Sequence, residues 1–252
     1  MQARPTQSEF YRWGGLAALV GGGIGIVFNV IHPRTTNDPG NSLGHMKMVA
    51  ESGLWRWDHI ALGVAITLGV IGVIAIGLSM TATEGDAWAR TWLLFTVASS
   101  ALLLVLIALD GSATKALSDR WAASGNDPAA FAAADLLFEI TIALLGASIA
   151  TYFGVSPLLL GVAVLRSGTY PKLLGQAAFV AGGLGLLTAA SLAFQGVKTI
   201  NLVVLFPIAS LVGTAVLMWA GWELYKSHAS LGSSGRSTSI TKEEPPVTPG
   251  LL

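Results

Sequence analysis

The sequence predicts an all-α polytopic membrane protein, a bundle of six transmembrane helices with a short interfacial helix in its first long loop. Three observations predict it. Of 252 residues, 53% are hydrophobic and only 11% charged, whereas a soluble domain carries about 25% charged residues to cover its water-facing surface. The mean hydropathy is +0.66. Apolar runs then recur from residue 14 to residue 222, which leaves no room for a separate soluble domain.

Crossing about 30 Å of hydrocarbon at about 1.5 Å per residue takes roughly 20 apolar residues. Residues 1–13, with Arg4 and Arg12, form an N-terminal segment ahead of the first span, 14–31. That span resembles a signal peptide, but His32-Pro33-Arg34 follows it instead of a small-residue cleavage site, so it reads as uncleaved. Residues 41–53 place Leu43, Met46 and Val49 or Ala50 at helical spacing, the pattern of a helix lying in the interface plane. His45 there reads as a solvated surface histidine.

The second span is 60–80, with Asp58 placed to cap its N-terminus. The third is 91–109, followed by Asp110, whose carboxylate opposes the helix dipole and calls for compensation by Arg56, a metal or water. Asp127-Pro128 reads as an N-cap and first helical residue, well before the uncharged run 140–165. From Pro128 to Arg166 such a helix would be about 58 Å long. Its first turns therefore leave the bilayer, or it breaks near Gly154 to Pro157. The fifth and sixth spans, 173–197 and 199–222, are separated by Lys198, and Pro207 predicts a kink in the sixth. The domain thus covers 14–226, and the polar residues 227–252 read as a disordered tail.

Tryptophan, glycine and charge add detail. All eight tryptophans fall near span ends or in loops, as expected of rings that gather at the membrane interface. Gly21, Gly22, Gly23 and Gly25, Gly63, Gly69, Gly72 and Gly77, and Gly182, Gly183 and Gly185 offer close helix contacts. They serve within the chain or in a homo-oligomer. Two basic residues precede the first span and one closely follows it, which places both termini in the cytoplasm and the chain in the plasma membrane, with membrane lipids as partners.

Several function classes are excluded. The 14 basic residues balance 14 acidic ones, so the broad basic field of a nucleic-acid binder is missing. Absence of cysteine removes disulfides and thiolate chemistry. No lysine lies within a span, which excludes a retinal Schiff base, and no chain of intramembrane acids or histidines suggests a proton pump.

Helix parity gathers His32, His45, Asp58, His59, Asp110, Asp119, Asp127, Asp135 and Glu139 on one membrane face. Imidazole and carboxylate suit zinc or a similar divalent ion, and His32, His59, Asp110 and Glu139 are the candidate ligands. Asp58 and His59 lie about 100° apart around a helix, so they are not expected to share one centre. The leading expectation is a non-enzymatic protein without a cofactor. A metal-dependent membrane hydrolase at the extracytoplasmic face is the alternative. A small-molecule transporter or channel would instead need a cavity near Asn29, Gln195 and Asn201.

The turn RSGTYPKLLG at 166–175 anchors Arg166 at headgroups, ends a helix at Gly168 and starts the next at Pro171. With the glycine-rich first span and the loop ending near Trp55 to His59, it resembles a family of bacterial six-span membrane proteins of unknown function. The likeness covers about residues 10–225 and implies the six-span layout and no activity.

Overall fold

A computed structural model describes residues 7–34, 40–125 and 127–234, with side chains as far as His228. Among these residues there are nine α-helices, three π-helical segments and no strand. Six helical stretches are long and apolar enough to cross a membrane, so the chain is an all-α multi-pass membrane protein. The first span is α1 (Gln7–Ile31). The interfacial helix is α2 (Ser42–Glu51), capped by Asn41, whose side chain accepts from the Gly44 amide at 3.1 Å. The second span is α3 (Trp55–Ser79). The third combines α4 (Asp86–Ala108), a π segment (Leu109–Thr114) and α5 (Lys115–Ala123); the fourth combines α6 (Pro128–Ser148), a π segment (Ile149–Val155) and α7 (Ser156–Ser167). The fifth is α8 (Lys172–Gln195), and the sixth joins a π segment (Ile200–Leu205) to α9 (Phe206–Ser234).

The surface carries many large apolar side chains, while a set of polar side chains is buried among the apolar ones of the interior. Leu94 and Phe194 are 71% and 90% exposed, while Asp58, Ser100, Thr188 and Asn201 are buried. Lipid-facing helices gain little from hydrophobic burial against one another and pack instead through small residues. Helix α1 lies between α3 and α9, and a Cβ on Gly72 or Gly221 would lie 2.6 Å from Ala18 Cβ. A Cβ on Gly21 would lie 2.7 Å from the Ala65 carbonyl oxygen. Gly182 is equally tight against Leu158 and the Gly154 carbonyl. Gly23, Gly63 and Gly183 meet nothing, so the glycine clusters are only partly contact faces.

Two π segments end just before a proline. Proline lacks an N–H and its ring displaces the carbonyl four residues back, here Phe153 for Pro157 and Val203 for Pro207. The wider turn absorbs both, so the expected break near 154–157 is a π segment within one continuous stretch of 40 residues. That stretch and the 38-residue third span also project beyond the bilayer at the same end. There α2, α5 and the start of α6 pack together around Met46, Trp121 and Ala134, forming a cover over the bundle.

Three sequence expectations change in detail. Trp121 lies in α5, not in a loop, and Trp55, Trp92 and Trp121 are buried: their positions along the axis suit an interface, but their rings point inward. Helix α9 runs to Ser234, past the 227 boundary; 235–252 lie outside the described residues. Helix α1 begins at Gln7, within the 1–13 segment, whose Arg4 also lies outside them. At the 166–175 turn, Gly168 ends α7 in the left-handed conformation (φ 64°), and the Tyr170 and Ser79 hydroxyls bond at 2.7 Å.

Candidate polar site and intramembrane cavity

The site forms where α1 ends, α3 begins and the third span widens into its π segment. Arg34 turns back on the last turn of α1, its Nη2 donating to the Asn29 carbonyl at 2.5 Å and to Asn29 Oδ1 at 3.0 Å. A carbonyl left open by the helix end is satisfied, and His32 is held against α3. There His32 Nδ1 donates to Asp58 Oδ2 at 2.6 Å.

Asp58 does not cap α3. The helix starts three residues earlier, at Trp55, so Asp58 sits one turn inside it and is fully buried. Its Oδ1 is buried without a hydrogen-bond partner. Asp58 and His59 also converge, although adjacent helical residues diverge. The His59 ring folds back toward the N-terminus, as helical side chains do, and brings Nδ1 to 2.7 Å from the Trp55 carbonyl and 3.5 Å from Asp58 Oδ2.

The π segment supplies the remaining partner. Asp110 Oδ2 lies 3.1 Å from His59 Nε2, and the Asp110 carbonyl accepts from Trp55 Nε1 at 2.8 Å. Beside it Gly111 packs directly on the His59 side chain, leaving no room for a Cβ. The helix continues past Asp110, so dipole opposition is not its problem; His59 compensates it, while Arg56 pairs with Asp119 at 3.4 Å.

Proton positions follow from these partners. The Trp55 carbonyl can only accept, so His59 Nδ1 carries a hydrogen. A second proton lies between His59 Nε2 and Asp110, whichever atom holds it. His59 has no free lone pair. His32, bonded through Nδ1, keeps Nε2 open and, like His59 and Arg34, lines the cavity below.

His45 of α2 faces inward, not to solvent. Its ring stands 5.5 Å from that of Trp55 and 4.9 Å from that of Phe138. Burial holds its pKa below the ordinary imidazole value, opposed by Asp110 and reinforced by His32 and His59. Periodicity placed its neighbours Met46 and Val49 in a buried face but gave no hint that α2 folds over the bundle.

Of the four candidate ligands, the structure brings together His32, His59 and Asp110 and leaves out Glu139. Glu139 is exposed on α6, and Phe138 takes the inward position beside it. Asp58 replaces Glu139 in the cluster. One ligand-type atom from each of His32, Asp58 and His59 lies within 4.8 Å of the others, a set that offers a metal two imidazoles and a carboxylate.

Below the cluster a cavity of about 260 Å³ extends between the spans. Its walls are mainly apolar, including Ile66, Leu103, Ile142, Leu145 and Phe206. Asn29 lines it, but Gln195 and Asn201 do not. Asn201 instead closes the α8–α9 turn, donating to the Gly196 carbonyl at 2.7 Å and accepting from the Ser191 hydroxyl at 2.6 Å. Comparison with family models, with curated proteins and with solved structures finds no match for the chain. Fold and site together define a polytopic membrane protein with a polar cluster opening into an intramembrane cavity.

Proposed function

We propose that this is a non-enzymatic membrane protein that binds a single-chain amphiphile, its oxygen-bearing head at His32 and Arg34 and its chain in the cavity. The observation that carries this reading is the shared wall: the same cavity is lined by the polar cluster and by the apolar interior of the bundle. Small-molecule sites are typically concave, apolar and furnished with a few polar groups that fix orientation. Arg34 spends one Nη2 on Asn29, which leaves further guanidinium N–H groups for acceptor oxygens. The basic residues around the first span support cytoplasmic termini in a plasma membrane, with the polar cluster toward the outside. Membership in the bacterial six-span family of unknown function is supported by the 166–175 turn.

Palmitate titrated into the purified protein tests the reading, with tryptophan fluorescence as readout, since Trp55 and Trp92 both line the cavity. Saturable one-to-one binding is expected, together with its loss in Leu145→Trp, which fills the cavity, at unchanged thermal stability. No saturable binding to the folded wild type overturns the reading.

A metal-dependent hydrolase is the second reading, favoured by the spacing of His32, Asp58 and His59. A divalent ion there would activate water for attack on an ester or amide, and the unpartnered Asp58 Oδ1 suits a cation. His59, however, must first release the Trp55 carbonyl. Stoichiometric zinc in protein purified without chelator, lost in His32→Ala, would favour this reading; zinc-free protein that still binds palmitate would eliminate it.

A further inference from the structure

We propose that the end of the bundle opposite the polar cluster carries a second site, a pocket for the primary ammonium of a zwitterionic headgroup, with Glu223 as its anion and Lys226 as the cation beside it. The inference is independent of the amphiphile reading above.

The pocket forms where α1 begins, α3 ends, α7 turns into α8 and α9 passes its last tryptophan. It measures about 180 Å³, and Tyr11, Ser79, Tyr170, Glu223, Ser227 and His228 contribute to its wall. Trp13 and Trp222 nearby are exposed. Arg12 stands 5.4 Å from the Trp13 ring centroid and Lys226 5.6 Å from that of Trp222. Exposed tryptophans beside basic residues mark the headgroup layer, so the pocket opens at headgroup depth.

The hydrogens of the lining groups are spent on the protein itself. Ser79 donates to the Ile76 carbonyl at 2.7 Å. A hydroxyl has a single hydrogen, so Tyr170 is the donor in the 2.7 Å bond between them. Burial above all raises the pKa of the Tyr170 phenol, opposed by the Ser79 bond and reinforced by Tyr11 and Glu223, and the phenol keeps that hydrogen. Ser227 likewise donates to the Leu224 carbonyl at 2.9 Å, which makes His228 Nδ1 the donor across their 2.9 Å contact. Tyr11 directs its hydrogen at the Leu78 carbonyl, 3.4 Å away. What these groups have left is lone pairs.

Glu223 adds charge to the lone pairs. Its Oε1 accepts from Trp219 Nε1 at 3.1 Å and from Lys226 Nζ at 3.0 Å, while Oε2 has no hydrogen-bond partner among the described residues. The side chain is 23% exposed, so a ligand can reach it.

A pocket of acceptors around a carboxylate calls for a cation rich in N–H groups. A bare metal ion would meet Lys226 as a repelling neighbour. An ethanolamine-type headgroup carries a phosphate next to its ammonium: the ammonium donates to Glu223 and the lone pairs around it, and the phosphate accepts the remaining Lys226 hydrogens. Choline has the same charges but no N–H, and leaves the acceptors unmatched.

The test titrates the full chain in detergent with phospholipids of identical acyl chains bearing ethanolamine, its monomethyl and dimethyl derivatives, or choline, and reads bound lipid by native mass spectrometry. Affinity is expected to fall along the series, by about tenfold or more from ethanolamine to choline, the size of a hydrogen bond to a charged group. Glu223→Gln should flatten the series. Asp86→Asn, which removes an exposed acid paired with Arg90 outside the pocket, should not. Equal affinities across the wild-type series overturn the proposal, the result that a pocket holding only water or a metal ion would give. So does a series that survives in Glu223→Gln. Should that variant fail to fold, the wild-type series decides alone. O-phosphoethanolamine, the headgroup without chains, competes in a further arm: displacement of the ethanolamine lipid assigns the site to a soluble amine and persistence assigns it to the bilayer, and either upholds the ammonium pocket. Palmitate carries no ammonium, so its binding or failure to bind leaves this result untouched.

Discussion

His32 and His59 stand side by side, yet one keeps a free nitrogen and the other has both engaged. The sequence placed both on the right face, with Asp110, because helix parity fixes which loop ends share a membrane side. It misplaced Asp58 and Glu139 for the same local reason. A carboxylate before an apolar run resembles a cap, and one inside a helix near the headgroups resembles a ligand; which one turns inward depends on where α3 begins and how α6 is rotated, and both are set by packing. His45 carries a pH consequence. Burial lowers its affinity for a proton in the fold, while the unfolded chain binds one near pH 6.5. Stability is thus fully present above about pH 6.5 and declines as pH falls through the lower folded pKa. Thermal midpoints measured from pH 7.5 to 5 should drop less in His45→Gln than in the wild type; identical profiles would remove His45 from the account.

The span positions were legible at the level of elements because hydropathy reports the solvent each segment prefers. The full extents were not. The third span as expected ends at 109, yet α5 carries Lys115, Asp119 and Arg120 beyond it in unbroken helix, since helical hydrogen bonds persist outside the hydrocarbon. Pro157 and Pro207 announced their irregularities; the π segment at Asp110 has no proline, and nothing in its sequence marks it. Such segments recur at functional sites in helical proteins. The one before Pro157 leaves the Phe153 carbonyl facing Gly185, where a Cβ would collide with backbone. Gly185→Ala is expected to cost about 1–3 kcal/mol through overpacking, whereas Gly183→Ala, which meets open space, should be neutral or stabilising because alanine is the better helix former. Denaturation of the two purified variants checks this, and equal effects would contradict the assigned contacts.

At the scale of the molecule, the six-span count follows from physical chemistry that any sequence window exposes, but the neighbours do not. Which helices touch depends on matching small residues across distant segments, such as Gly72 and Gly221 around Ala18. The bundle and its cover also differ in substance. The main core draws on α1, α3, α4, α7, α8 and α9, whereas the cover rests on three buried residues, Met46, Trp121 and Ala134. Regions with few buried apolar contacts open at lower free energy. Amide hydrogen exchange is expected to be faster in α2 and α5 than in α3, and equal protection would argue for a single cooperative unit. Because α2 lies over the paired imidazoles without itself crossing the bundle, its loosening would admit more water to His32 and Asp110, whose side chains are already 21% and 22% exposed, without breaking a span.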